Sequence, residues 1–183
     1  EEIKHPAVRG ALKFYEIDEP LEFHTFGDLA GRSGLGGSSS FTVGLAHCLH
    51  RLYENRLGRI FDAWSLAEDA TRIEQDVIKE AVGCQDQVFA AHGGLNLIDF
   101  WKKGKRSMRR IEMPAEQIEE LEYSMLLVFT GTMRDAHVMA AKTVAAMPHK
   151  EKVLGRMKNL AHEGADLLLN HGPIGKLGPM LDE

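Results

Sequence analysis

A glycine- and serine-rich run of ten residues is the strongest constraint on how this chain can fold. Residues 31–40 read GRSGLGGSSS, with four glycines and four serines. Glycine loses much conformational freedom in a strand or a helix interior, so this run favours neither. Apolar residues then resume at helical spacing, at Phe41, Leu45, Cys48, Leu49 and Leu52. The run therefore predicts a loop that opens a helix over about residues 39–55.

Two interpretations of this loop stay open at the level of the residues alone. Unpaired amides and the dipole at a helix N-terminus favour an anion such as phosphate, and glycine lets the backbone approach it closely. Glycine and serine together are also typical of a flexible linker. A Walker A loop is excluded because no lysine occurs from Gly27 to Asn55. A dinucleotide fingerprint that starts at Gly34 would require glycine where Ser39 stands.

The composition is that of an ordinary globular protein. The 183 residues are 44% hydrophobic and 27% charged, which suggests one or two domains. The net charge of −5 gives no electrostatic reason to expect nucleic acid or an anionic membrane as a partner. No apolar run approaches the roughly 20 residues of a membrane span, and no signal peptide is apparent, so we expect a cytoplasmic protein. Cys48 and Cys84 lack metal-ligand spacing and are expected to be buried, reduced thiols.

Periodicity predicts the other elements. Alternation over residues 21–26 predicts a strand that leads into the glycine loop, and a capping box of Ser65 and Glu68 predicts the start of a second long helix. Pro114 and an acidic run suggest a connection, with a domain boundary near residue 120. We further expect a short helix near residues 7–15, strands at 95–100, 111–113 and 125–129, and helices at about 136–147 and 150–170.

Two carboxylates are candidates for chemistry. Glu74 is the only charged residue inside the apolar arc of the second helix, where a carboxylate is costly unless a cation, a metal or hydrogen-bond donors meet it. A structural salt bridge to Arg32 or Arg134 and a role as metal ligand are both open. Asp86 is expected at the opening of a short helix, where it can act as an N-terminal cap.

Two weaker signals favour ordinary structural roles. His47 and His50 lie at i, i+3 on the first long helix, but no third metal ligand is close in sequence. The basic residues between positions 102 and 110 favour a solvated hairpin over a nucleic-acid site, because no aromatic residues are interleaved among them.

The combination of these motifs resembles the GHMP-type small-molecule kinases, the superfamily of galactokinase, homoserine kinase and mevalonate kinase. The residues that carry the resemblance are GLGGSSS at 34–40, Glu74, and GCQDQ at 83–87 with Gly93 and Gly94 beyond. Within the superfamily, the sequence around these motifs is similar to the D-glycero-D-manno-heptose 7-phosphate kinases. Phe129, Thr130 and Gly131 with Arg134, and the LLN run at 168–170, are similar too.

The resemblance implies an α+β, two-layer GHMP kinase fold. Residues 1–120 would form an ATP-binding domain like domain 2 of ribosomal protein S5, and residues 121–183 the start of a ferredoxin-like domain. It implies ATP- and Mg²⁺-dependent phosphoryl transfer to a small sugar phosphate, with the anomeric hydroxyl of heptose 7-phosphate as acceptor and neither nucleic acid nor membrane as partner. The alternatives are a kinase of the fucose or galactose type, or a non-catalytic binding module of the same fold.

The resemblance also implies a role for individual residues. Ser38 and Glu74 would hold Mg²⁺, Asp86 would be the general base or orienting carboxylate, and Arg134 would contact a phosphate. Gly37 departs from the family pattern, which has serine there. The family's N-terminal and C-terminal motifs are absent, so we expect a central piece with little activity alone. The residues expected to cradle the ATP phosphates are Gly34, Leu35, Gly36, Gly37, Ser38, Ser39 and Ser40.

Overall fold

The computed structural model of the chain describes residues 3–27, 34–58, 62–101, 104–128, 131, 147 and 150–183. The chain divides into two compact units. One comprises Glu1–Gly93 with Gly131–Val144, and the other Gly94–Thr130 with Ala145–Glu183. Helices and a small antiparallel sheet are both present, in agreement with the predicted α+β class. The two-layer sub-fold and the assignment of the two family domains stay predictions.

The described part of the first unit is helical. Pro6 begins the first helix, where its fixed φ suits the first turn and its missing amide hydrogen costs nothing. Helices over Pro6–Phe14 and Gly37–Leu52 confirm the predictions near residues 7–15 and 39–55. The elements are α1 (Pro6–Phe14), α2 (Gly37–Leu52), α3 (Glu54–Leu57), α4 (Ala63–Arg72), a π-helical turn (Ile73–Val77) and α5 (Gln85–His92).

Helix α2 lies at the centre of this unit, in contact with α1, α4 and α5. Its interior face carries Val43, Ala46 and Leu49, all of which are buried. They pack with buried side chains of the neighbouring helices, including Ala11, Tyr15, Leu66, Ala70 and Ile73. This apolar contact fixes the direction of α2, and with it the position of the helix N-terminus at the glycine loop.

The interior face of α2 differs from the one that the apolar spacing predicts. Thr42 and His50 are buried, whereas Cys48 and Leu52 are exposed. The expectation of buried cysteines is therefore wrong for Cys48, and Cys84 is only half-buried. Apolar spacing places the face of a helix only approximately, because each residue turns it by about 100°.

The predicted strand at residues 21–26 is wrong. Residues 20–27 have no regular secondary structure, and no strand pairs with them in the described part of the chain. The burial of their side chains nevertheless alternates as predicted, since Leu21 and Phe23 pack against the core while Glu22 and His24 are exposed. Alternation reports which side chains turn inward, but a strand also requires a hydrogen-bonded neighbour.

The capping box of α4 is placed three residues earlier than predicted. Asp62 is the N-cap, its Oδ1 accepts a hydrogen bond from the Ser65 amide at 2.7 Å, and its own amide donates to Ser65 Oγ at 3.0 Å. Ser65 is thus the third residue of the helix and closes the box, rather than opening it as the N-cap. These hydrogen bonds from Ser65 hold the pKa of the Asp62 carboxyl below its usual value.

The second unit combines a hairpin with helices. Strands β1 and β2 pair antiparallel, with Ile98 opposite Met108. Ile111, Ala165, Leu168 and Ile174 form its buried centre. No described helix is long and apolar enough to cross a membrane. The elements are β1 (Asn96–Phe100), β2 (Arg106–Arg110), α6 (Ala115–Tyr123), α7 (Glu151–Leu169), a 3₁₀ turn (Ile174–Lys176) and α8 (Leu177–Asp182).

Several sequence expectations for this unit need correction. The partner of β1 is residues 106–110 rather than 111–113, so basic residues lie on the strand itself. The acidic run after Pro114 is helix α6 rather than a connection, because glutamate and leucine are good helix formers. The domain boundary near residue 120 stays a prediction. Residues 125–128 are not a strand. Helix α7 confirms the prediction for residues 150–170, whereas nearly all of the predicted helix 136–147 lies outside the described residues.

Candidate active site

The N-terminus of α2 presents backbone amides in the geometry of an anion site. Gly36 is the N-cap, with φ of 69°, and has no side chain with which to cap the helix. The first intrahelical hydrogen bond runs from the Ser40 amide to the Gly36 carbonyl, at 2.9 Å. The amides of Gly37, Ser38 and Ser39 therefore precede the intrahelical ladder, and the first turn carries no acidic residue. Residues 34–40 thus lead into and open a helix, whose N-terminus suits a phosphate.

Helix α5 brings Asp86 to this helix N-terminus. A methyl group in place of the Gly36 hydrogen would lie 3.4 Å from both Cγ and Oδ2 of Asp86. The positive φ is what favours glycine here, and an added methyl group would be in van der Waals contact with the carboxyl group of Asp86. Asp86 is exposed in the first turn of α5, and the N-cap is Cys84. Asp86 is therefore not the N-cap, and its carboxylate faces solvent beside the loop.

Glu74 lies in the π-helical turn and is buried, with 1% of its surface exposed. Its Oε2 accepts a hydrogen bond from Ser39 Oγ at 3.2 Å and a short one from Gln87 Nε2. Its Oε1 has no hydrogen-bond partner among the described residues. One carboxylate oxygen is therefore held from both α2 and α5, and the other has no donor among the residues that the structure describes.

Burial raises the pKa of the Glu74 carboxyl, and the polar side chains of Thr42, Gln87 and Ser39 act in the opposite direction. No lysine or arginine in the described part of the chain forms an ion pair with Glu74. The salt-bridge partners considered above, Arg32 and Arg134, lie outside the described residues.

A divalent cation fits this carboxylate. The oxygen without a partner and the nearby serine hydroxyls are hard oxygen ligands, and the helix amides beside them suit phosphate oxygens. Mg²⁺ characteristically takes one or two protein oxygens and completes its shell with waters and phosphate oxygens. The described residues contain no group of three His, Cys, Asp or Glu side chains that could hold a metal ion.

The structure brings most of the predicted site residues together. Gly36, Asp86 and Glu74 meet at the N-terminus of α2 through the contacts above. The hydroxyl that contacts Glu74 belongs to Ser39, whereas Ser38 is exposed on the neighbouring position. The assignment of Ser38 as a magnesium ligand stays a prediction. So does the phosphate contact of Arg134, which lies outside the described residues.

Gln87 is a site residue that the sequence analysis did not single out. It is 1% exposed and contacts Glu74 directly. The signal in the sequence is its place in the GCQDQ run at 83–87, which does not show which way its side chain faces. The sequence does not predict its hydrogen-bond partner, because Glu74 lies thirteen positions away in the chain.

An open cavity of about 380 Å³ lies beside α2, and Ser40 is the one predicted site residue among its lining residues. Gly44, a glycine in the interior of α2, lines this cavity. The lining residues are Ser40, Val43, Gly44 and His47 of α2, Asp62, Ala63 and Leu66 at the start of α4, and Ala90 and Ala91 of α5.

Comparison with known proteins agrees with this arrangement. Residues 5–94 match the family model of the GHMP kinases N terminal domain. The matched segment contains the glycine loop, Glu74 and Asp86, and the chain belongs to the GHMP kinase family.

The chain is also similar to the D-glycero-alpha-D-manno-heptose 7-phosphate kinase of Campylobacter jejuni subsp. jejuni serotype O:2. The two are 31% identical over 144 residues, which is 78% of this chain and 39% of that protein. The match thus spans well under half of the relative's length. No solved structure was found to match the chain.

Proposed function

We propose that the protein transfers the γ-phosphoryl group of ATP to a sugar hydroxyl, with Mg²⁺ bound at Glu74. The observation that carries the proposal is the convergence of three parts of the first unit. The N-terminus of α2, the buried carboxylate of Glu74 and the exposed carboxylate of Asp86 are joined by contacts through Gly36 and Ser39. An anion site, a cation ligand and a candidate base are the parts that phosphoryl transfer requires.

Each group has a distinct task in the proposed reaction. The amides of the first turn of α2 bind phosphate oxygens, assisted by Gly34, Leu35 and the serine hydroxyls of the loop. Glu74 with a loop serine, Ser38 or Ser39, holds the cation, which when bound neutralises charge on the phosphate oxygens. Catalysis then rests mainly on positioning the sugar hydroxyl in line with the γ-phosphorus.

Asp86 handles the proton of the acceptor. Its carboxylate accepts the proton of the sugar hydroxyl while the oxygen–phosphorus bond forms and the bond to the bridging oxygen of ADP breaks. The exposed position of Asp86 beside Gly36 supports this role, because an acceptor from solvent can reach it. The same exposure favours an enzyme over a non-catalytic binding module, which has no need of a carboxylate there.

The proposed acceptor is the anomeric hydroxyl of D-glycero-D-manno-heptose 7-phosphate. The similarity to the kinase of that sugar phosphate supports this choice over fucose or galactose. Arg134 is proposed to contact a phosphate, since a guanidinium binds phosphate through two parallel hydrogen bonds.

The substitution Asp86→Asn in the complete protein tests the proposed role of the base. Positioned general bases contribute about 10²- to 10⁴-fold, so turnover with ATP and sugar should fall by that factor. The matched control is Asp18→Asn, the same change at an exposed aspartate before the loop, which should leave turnover unchanged. Turnover of Asp86→Asn within a few-fold of wild type would show that Asp86 is not the base.

A further inference from the structure

Gln87 is a buried amide that contacts the proposed cation ligand, Glu74. Its Nε2 donates to Glu74 Oε2, and its own Oε1 has no hydrogen-bond partner in the described part of the chain. Burying an amide with one oxygen unsatisfied destabilises the fold relative to an apolar side chain of the same size. Packing alone therefore does not explain Gln87.

We infer that Gln87 is a positioning residue for the metal carboxylate, which holds Oε2 of Glu74 so that Oε1 is the oxygen presented to the cation. The inference rests on the proposed function, because it assumes that Glu74 binds a divalent cation. The amide of Gln87 and the hydroxyl of Ser39 reach the same oxygen from different helices, α5 and α2. Two donors on one oxygen restrict rotation of the carboxylate far more than one would.

The chemistry of the donor matters as much as its position. A lysine or arginine at this place would satisfy Glu74 equally well, but its charge would neutralise the carboxylate and repel a dication. A carboxamide donates a hydrogen bond and carries no charge. Gln87 thus restrains Glu74 and leaves its negative charge for the metal.

Helix α5 links this restraint to the base. Asp86 and Gln87 are consecutive residues, and one is exposed beside Gly36 while the other is buried against Glu74. A single turn of helix therefore sets the positions of both carboxylates, Asp86 directly and Glu74 through the amide. Donors behind metal ligands typically contribute 10- to 100-fold to metal affinity.

The test measures Mn²⁺ binding to the complete protein in the presence of ADP. Electron paramagnetic resonance monitors the concentration of the free ion. Gln87→Met keeps the volume and removes the amide, so the dissociation constant for Mn²⁺ should rise about 10- to 100-fold. The affinity for ADP without metal should be unchanged. The matched control is Gln117→Met, which removes an amide that donates to the Gly172 carbonyl at 3.0 Å in the second unit. Its Mn²⁺ binding should equal that of wild type.

Thermal unfolding of each metal-free variant shows whether it is folded. If Gln87→Met does not unfold cooperatively, Gln87→Asn replaces it, because its amide is too short to reach Glu74. A folded variant that binds Mn²⁺ within twofold of wild type overturns the inference, and the proposed site stands if Glu74→Ala still weakens binding. If wild type itself binds no Mn²⁺ with ADP, the inference and the proposed metal site both fail.

Discussion

Glu74 is a buried carboxylate with two donors on one oxygen and none among the described residues on the other. Burial raises its pKa because water no longer stabilises the charge. A carboxyl whose pKa is raised by folding stabilises the fold while it is protonated, below its ordinary pKa. That contribution is lost as the pH rises through the higher pKa of the folded state. The metal-free protein should therefore lose stability from mildly acidic to neutral pH.

The substitution Glu74→Gln tests this account of the charge. Glutamine does not ionise, so without divalent metal the variant should be more stable than wild type at pH 8, by about 1–3 kcal/mol. The difference should vanish near pH 4, where Glu74 is protonated. Urea unfolding at the two pH values measures both quantities, and Glu68→Gln on the exposed face of α4 is the control. Equal stability of wild type and Glu74→Gln at pH 8 would contradict the buried charge.

The sequence predicts the inward position of Glu74 but not its contacts. An interior charge is visible on a helical wheel, whereas the choice between Ser38 and Ser39 depends on where α2 begins and how it is rotated. Each residue turns a helix by about 100°, so neighbouring serines point in different directions. Because the sequence predicts the start of α2 only approximately, it does not determine which of the two contacts Glu74. Gln87 was missed for a related reason, because its partner lies on another element.

At the scale of elements, α2 is the support of the site. Its apolar face packs on three other helices of its unit, and this packing places the helix N-terminus against Asp86 and Glu74. Gly36, the N-cap of α2, and Gly44, in the interior of the helix, have opposite roles. Gly36 has a positive φ and a close neighbour, whereas Gly44 is in the helix interior with open space around it.

Substitution of these two glycines should therefore have opposite effects. Gly36→Ala forces a left-handed conformation on alanine and should destabilise the protein by about 1–2 kcal/mol, with weaker ADP binding. Gly44→Ala should stabilise it by about 1 kcal/mol, because alanine favours a helix and the added methyl group meets no atom within 4 Å. Urea unfolding and ADP titration measure the pair. A neutral Gly36→Ala would mean that the cap does not have the described conformation.

Elements were predictable where the evidence for them is local. Helices α1, α2 and α7 follow from apolar periodicity, and they are present. The strand at residues 21–26 and the partner of β1 were wrong because pairing is a long-range property that no single segment encodes. Helix α6 was missed because its charge pattern is also that of a solvated connection.

At the scale of the whole molecule, family membership was readable from the sequence because three short motifs occur in a fixed order. Residues 34–40, Glu74 and Asp86 are far apart in the chain, and the match over residues 5–94 contains all three. The acceptor is not fixed by these motifs, since they contact the nucleotide and the metal in the proposed mechanism. The similarity to a heptose 7-phosphate kinase is what favours one sugar over another.

The most direct test of phosphoryl transfer is ³¹P nuclear magnetic resonance of the complete protein with ATP, Mg²⁺ and one acceptor at a time. The acceptors are D-glycero-D-manno-heptose 7-phosphate, fucose and galactose. With the heptose phosphate, the proposed function predicts loss of the γ-phosphate signal and a new phosphate ester on the anomeric carbon, both abolished without Mg²⁺. Binding of ADP with Mg²⁺ but no new ester from any of the three sugars would contradict the account and favour a binding module.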